Sequence, residues 1–363
     1  MKIAVNAWFY ESLHTGSGQY LRHLVEALRQ LAPEIQLELV TPRKRDDLSK
    51  IKFEQSDFPR AAQRMKADLA FVPYWAPPLA CAVPLVVTIH DIIPLVLPEY
   101  RGKAQHRLYT SLVRATSANA AAILTDSEHS RADIIARLGV PAERVNAIPL
   151  AADARFSQVL TEAEAIRVTE KYKLPERYVF YLGGFDPRKN IETLLQVYVW
   201  AGIAIGDEYP LVVSGSPDER VAVPGGKSIT LSEMARQLEV DDCVRFIGRA
   251  DEADKPALYA MSRAFLYPSR YEGFGLNPLE AMSSGVPVVG SNASSLPEVV
   301  GDGGWLVDPA DARRMAGALI ATCVEDELHD RLAQRAVLHA AKFSWQRAAY
   351  ETLAVFNRVM NAR

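Results

Sequence analysis

Short apolar runs alternate with segments of helical period along the whole chain. In the first half, runs of strand length fall at residues 2–7, 36–41, 68–74, 85–90, 121–125 and 144–150, with helical patterns between most of them. Leu21, Leu24, Val25, Leu28 and Leu31 recur at the three-to-four spacing that sets them on one helix face, just after Gly16-Ser17-Gly18. Strand and helix in strict alternation predict a parallel sheet covered by helices, since parallel strands need long crossovers and bury both faces. The second half repeats the pattern at 178–182, 210–214, 244–247, 264–267, 286–290 and 305–307. The prediction is an α/β protein of two doubly wound domains.

Residues 151–176 hold a short polar helix and a Leu174-Pro175-Glu176 break. The boundary is placed there, giving domains at 1–165 and 166–343. A last amphipathic helix at 344–363 opens on Ser344 as N-cap and carries Trp345, Ala349, Leu353, Phe356 and Met360 at helical spacing. Its stripe can pack on the second domain or, in the arrangement preferred, cross back to the first.

The length of 363 residues suits two cores, and 49% hydrophobic with 23% charged residues is ordinary globular usage. A net charge of −3, from 41 basic and 44 acidic residues, supplies no field for a nucleic-acid partner. Cys81, Cys243 and Cys323 are odd in number, far apart and outside any metal-ligand spacing, which fits a reducing, cytoplasmic location. The first residues lack a signal peptide's apolar core, and no apolar run of about 18 residues occurs that could span a membrane.

The densest chemistry lies between Arg270 and Gly290, which reads as strand, glycine loop, short helix, strand. Gly273 and Gly275 let the backbone approach a ligand at positive φ. Asn277 and Pro278 look like the N-cap and first position of a helix ending at Gly285, whose exposed amides would suit a phosphate. On that register Glu280 is the third helical residue, where a capping box explains a glutamate without any ligand. Glu272, in the loop, has no such local explanation. Two carboxylates also raise glycoside hydrolysis, but a glycine loop and helix start between them favour a phosphate-bearing ligand.

Glu272 and Glu280, with seven residues between, resemble the signature of retaining glycosyltransferases of family 4, which have the GT-B fold of two Rossmann-like domains facing across a cleft. The stretch from Tyr181 through Gly183-Gly184 to Arg188-Lys189-Asn190 is similar to that family's loop for the nucleotide diphosphate, and Val244 to Gly248-Arg249 to its nucleobase strand. Thr88-Ile-His90-Asp91, Ser127-Glu-His-Ser130 and Gly16-Ser-Gly18-Gln-Tyr20 match first-domain motifs in the same order, so the resemblance covers nearly the whole chain.

By that resemblance the second domain binds a nucleoside diphosphate sugar and the first an acceptor. Glu280 would take the ribose hydroxyls and Glu272 those of the donor sugar, while Gly273, Phe274, Gly275 and Leu276 approach the phosphate or sugar. Lys189, supported by Arg188, would neutralise the diphosphate; their alternative is a solvated charge pair at a helix start. Many relatives carry Arg where this chain has Gly184. His90 stands at the carboxyl end of a strand, where α/β sheets place ligands; it would contact the donor sugar, or simply satisfy a nearby carbonyl. Gly16 and Gly18 would form a flexible wall over the donor phosphate, or a plain turn. The full Gly-x-Gly-x-x-Gly of a dinucleotide site is missing, which argues against a nicotinamide dehydrogenase.

No Asp-x-Asp occurs, in line with transferases that hold the diphosphate without metal. The expectation is therefore a retaining, metal-independent hexosyltransferase without a resident cofactor, its donor GDP-mannose in preference to UDP-glucose and its acceptor a glycan or lipid-linked group. A nucleotide-sugar epimerase and a non-catalytic sugar-nucleotide-binding protein are the rival readings. Residues 42–66 carry eight cations against four acids, and residues 101–114 add more. This is a solvated surface or a basic face of the first domain that meets anionic lipid, at the cytoplasmic side of a membrane, or a lipid-linked acceptor.

Overall fold

The computed structural model describes residues 1–12, 15–75, 77–100, 104–222 and 227–362, and does not extend to the side chains of residues 47 and 104–109. Arg101 and Lys103 of the second basic run lie outside the described residues. The chain divides into two compact units, Met1–Leu150 with Ser344–Arg363, and Ala151–Phe343.

The first unit is built on a parallel sheet of six strands: β1 (Lys2–Asn6), β2 (Gln36–Val40), β3 (Leu69–Val72), β4 (Leu85–Thr88), β5 (Ala122–Thr125) and β6 (Val145–Ala147). Their spatial order is β2-β1-β3-β4-β5-β6. Every residue of β3, β4 and β5 is buried, as a sheet covered on both faces requires. The helix Gly16–Leu31 packs Leu21, Leu24, Val25 and Leu28 inward, whereas Leu31, at the last turn, is exposed.

The helix Trp345–Asn361 lies on the helix Gly16–Leu31, with Ser344 as its N-cap accepting from the Arg347 amide at 3.1 Å. Its inward face consists of Ala348, Ala349, Thr352, Val355 and Phe356, so Leu353 and Met360 are only half-buried. Phe356 meets Phe71 of β3 edge-on at 5.3 Å between ring centroids.

The second unit carries a six-stranded parallel sheet of β7 (Val179–Leu182), β8 (Leu211–Ser214), β11 (Val244–Phe246), β12 (Ala264–Tyr267), β13 (Val288–Ser291) and β14 (Gly304–Val307). Between β8 and β11 the chain forms a small antiparallel pair, β9 (Arg220–Ala222) and β10 (Ser228–Thr230). The order β11-β8-β7-β12-β13-β14 reverses its direction of growth between β7 and β12. The crevice outside the carboxyl ends of those two strands is where open α/β sheets bind ligands.

The boundary falls at Leu150/Ala151, fifteen residues before the expected 165/166, because the segment in question packs on the second unit. Phe156 is buried edge-on to Tyr259 at 5.8 Å, Arg155 donates to the Glu252 carbonyl at 2.8 Å, and the helix Glu162–Tyr172 is tied by Lys171 to Asp251 and Asp254. Polar residues in a connecting segment misled the reading, since these anchors are long-range and leave no local pattern.

Candidate active site

The loops that leave β7 and β12 are sewn together by backbone and amide hydrogen bonds. The Arg270 amide donates to the Arg188 carbonyl at 2.7 Å. Asn190, held at φ 59°, donates its side-chain amide to the carbonyls of Pro268 and Pro309, and Asn277 donates to the Leu182 carbonyl at the end of β7. Arg188, Lys189 and Glu272 are thereby brought within direct contact.

Glu272 is the hub. Its Oε1 accepts from Lys189 Nζ at 2.7 Å, Ser269 Oγ at 2.7 Å and Tyr267 OH at 2.9 Å, and its Oε2 accepts from Arg188 Nη1 at 2.5 Å. Lys189 also donates to Tyr267 OH, and Arg188 pairs with Asp186 at 3.2 Å. Both Lys189 and Glu272 are buried, so Lys189 is no solvated loop cation. Burial alone would raise the Glu272 pKa, but the charges of Lys189 and Arg188 outweigh it and hold the carboxyl at about 2. Burial pushes the Lys189 ammonium down and the Glu272 carboxylate only partly restores it. A carboxylate has roughly four lone-pair positions; Oε1 is filled and, among the described residues, Oε2 accepts only from Arg188, so one position remains for a ligand hydroxyl.

The helix after Glu272 starts two residues earlier than the spacing suggests, at Leu276–Ser283, with Gly275 rather than Asn277 as N-cap. Gly275 sits at φ 122°, closed to other residues, and no side chain caps the helix, which leaves first-turn amides for an anion. Ser295 donates to the carbonyls of Glu272 and Phe274, and Ser294 accepts from the Glu272 amide, fixing the loop from behind.

Glu280 is therefore in the second turn, and the expected capping box does not exist. Its carboxylate is buried and accepts from Tyr259 OH at 3.1 Å. Burial raises its pKa to about 7 against the opposing charges of Lys255 and Arg155. Two glutamates eight positions apart are thus driven in opposite directions.

Gly184 is exposed, and its carbonyl takes the Tyr181 hydroxyl at 2.7 Å. Arg188, the residue that could replace the missing arginine, has its guanidinium on Glu272. Gly248 follows β11 at φ 71° and bridges Gly215, while Arg249 is exposed; among the described residues neither shares a hydrogen bond with the Glu272 cluster.

In the first unit, His90 follows β4 and its Nδ1 lies 2.8 Å from Asp126 Oδ2, just after β5. Burial disfavours the imidazolium, but Asp126, Asp91 and the Pro73 carbonyl more than offset this, and the pKa rises. Tyr20 stands edge-on to the His90 ring at 4.7 Å and its hydroxyl meets Thr88 Oγ1 at 3.0 Å. Gly16 and Gly18 do not form a plain turn: they open the helix that carries Tyr20, capped by Thr15. A Cβ at Gly18 would come within 2.2 Å of the Ser12 carbonyl oxygen, so that glycine permits a close backbone approach.

Sequence reasoning passed over Asp126, Tyr259, Tyr267, Ser269, Ser294 and Ser295. Asp126 and Ser269 lie just after strands β5 and β12, at the carboxyl edge that already singled out His90; the two tyrosines read as ordinary core aromatics. Among the described residues no helix is long and apolar enough to cross a membrane.

Residues 162–338 match the family model described as glycosyl transferases group 1, and residues 14–156 match that of glycosyltransferase family 4. The chain is 36% identical to O-antigen chain mannosyltransferase B of Escherichia coli over 272 residues, 75% of this chain and 69% of that protein. It is 30% identical over 279 residues to the serotype-specific mannosyltransferase WbdA of E. coli, 76% of this chain but only 34% of that much longer protein. Among solved structures, sucrose-phosphate synthase from Thermosynechococcus elongatus superposes with a TM-score of 0.74 at 21% identity, over 100% of both chains. Anabaena HepE in complex with UDP and glucose gives 0.71 at 19% identity, over 99% of this chain and 100% of that one.

Proposed function

The chain belongs to the group 1 glycosyltransferases of the GT-B fold, and from that premise we propose that it is a retaining, metal-independent mannosyltransferase that uses GDP-mannose to extend a glycan. The observation that carries the reading is the uncapped, glycine-led helix start on the loop that joins Glu272 to Lys189 and Arg188. A diphosphate there would meet partial positive charge from the amides and full charge from the two cations. The similarity to O-antigen chain mannosyltransferase B supports mannose as the sugar and a polysaccharide as the product.

The reaction develops positive charge on the sugar and negative charge on the leaving diphosphate, so stabilising that anion is the main catalytic demand. Lys189 and Arg188 exchange part of their pairing with Glu272 for the departing phosphate oxygens. Glu272, ionised at any working pH, offers Oε2 to a sugar hydroxyl and its negative charge to the oxocarbenium-like centre. Glu280 accepts from the ribose hydroxyls, and in the first unit Asp126 orients the His90 ring. No carboxylate in this reading attacks the sugar carbon. Retention then follows from acceptor attack on the face the diphosphate leaves, which also takes up the acceptor's proton.

Incubation of the full chain with GDP-mannose or UDP-glucose and a mannose-terminated acceptor, with and without EDTA, tests this reading. The expected product is an α-linked mannoside formed from GDP-mannose at an undiminished rate in EDTA. A β-linked product would contradict retention, and abolition by EDTA with rescue by manganese would contradict metal independence. Transfer from UDP-glucose alone would overturn the donor. A free epimerised sugar nucleotide formed without acceptor would favour the epimerase instead.

A further inference from the structure

The loop after β2 and the helical segment behind it form a second concave surface, remote in sequence from the loops of β7 and β12. A cavity of about 610 Å³ opens between residues 40–44 and the continuous helical run of Asp47–Lys52, Phe53–Asp57 and Phe58–Arg64. Arg43, Lys44, Lys52, Arg60 and Arg64 line it, against a single acid, Asp57. The stretch Phe53–Asp57 is a π turn, which resets the helical phase so that Lys52 before it and Arg60 and Arg64 after it face one hollow.

Among the described side chains, three neighbouring acids are already engaged. Glu11 pairs with Arg45, Glu54 with Lys50, and Asp46 accepts from the Ser49 amide and hydroxyl, whereas none of the five lining cations has an ion pair among the described residues. Arg60 and Arg64 stand four residues apart, a spacing at which like charges repel, and Arg64 Nε is held there by the Arg60 carbonyl at 3.3 Å. A concave cluster of five cations lined by one acid carries a net positive charge that suits a multiply charged anion. Guanidinium forks match the oxygens of a phosphate.

We propose that this pocket binds a phosphate-bearing anion, independently of the donor site. Phosphate could arrive on a soluble or terminal group or as a lipid headgroup, and two arms of one experiment separate these sources. Wild type and the Arg60→Ser/Arg64→Ser variant are titrated with pyrophosphate by calorimetry at low and high salt. Both are also sedimented with vesicles of phosphatidylcholine or of equimolar phosphatidylcholine and phosphatidylglycerol. Both arginines are exposed, so the variant should melt no lower than wild type.

The expected result is a salt-sensitive pyrophosphate affinity that falls roughly tenfold or more in the variant. The donor loops are common to both proteins, so this difference belongs to the pocket. Capture by phosphatidylglycerol vesicles alone, lost in the variant, assigns the phosphate to a headgroup. Equal behaviour of the two proteins in both arms, including no binding by either, overturns the proposal.

Discussion

At the scale of single residues, the candidate site rests on two glutamates whose surroundings set opposite charge states. Glu280 is neutral in both folded and unfolded chains below about pH 4.5; between there and about 7 the unfolded chain gives up its proton while the folded one keeps it. Stability therefore falls across that window by roughly 3 kcal/mol. Glu280→Gln, neutral throughout, should escape this loss, so thermal melts of variant and wild type should diverge in the variant's favour as pH rises to 8. Parallel profiles would refute the raised pKa. Ribose hydroxyls favour the carboxylate, so nucleotide affinity of the wild type should increase as pH rises through about 7.

Glu272 has the opposite sign. Its lowered pKa contributes stability that is present above the ordinary carboxylate range and is lost only as pH falls toward 2. Lys189→Ala leaves a buried carboxylate short of one partner and should cost about 3–5 kcal/mol in denaturant unfolding. The double variant Lys189→Ala/Glu272→Gln should cost less than the sum of its parts by about 1–3 kcal/mol. Strict additivity in that cycle would mean the two groups do not act as a pair.

At the scale of elements, the site is a helix start and two strand ends. Gly275→Ala places a side chain at φ 122° with its Cβ 3.0 Å from Leu296 Cδ2, and should cost about 1–3 kcal/mol while tilting the amides away from a bound anion. A variant that melts and binds nucleoside diphosphate as wild type does would remove the helix start from the site.

The parallel strands were legible because fully buried strands are continuous apolar runs, as at Leu85–Thr88 and Val179–Leu182. The pair β9 and β10 was not, since Arg220, Ser228 and Thr230 give a half-exposed, three-residue pattern with no apolar run. The helix register at Gly275 was missed by two residues because Asn277-Pro278 imitates a cap, while Asn277 spends its amide on Leu182. Sequence marked Glu272 as unexplained, but its partners Tyr267 and Ser269 depend on how the end of β12 folds back over the turn at Pro187–Lys189.

At the scale of the whole molecule, the helix Trp345–Asn361 belongs to the first unit, and its Phe356 is fully buried seven positions before residue 363. Phe356→Ala should cost about 3–5 kcal/mol, where a dispensable tail would cost almost nothing; chemical denaturation measures the difference. The two units each present their chemistry at the carboxyl edge of a parallel sheet, His90 with Asp126 in one and the Glu272 cluster in the other.

The central claim is that the loops after β7 and β12 hold a nucleoside diphosphate. Calorimetric titration of GDP and UDP into wild type and Lys189→Ala, each corrected for its folded fraction, tests it most directly. The account predicts that GDP binds the wild type more tightly than UDP and loses roughly ten- to a hundredfold of its affinity in the variant, the worth of one charge-assisted contact. Binding of neither nucleotide to the wild type, or equal affinity in both proteins, would contradict it.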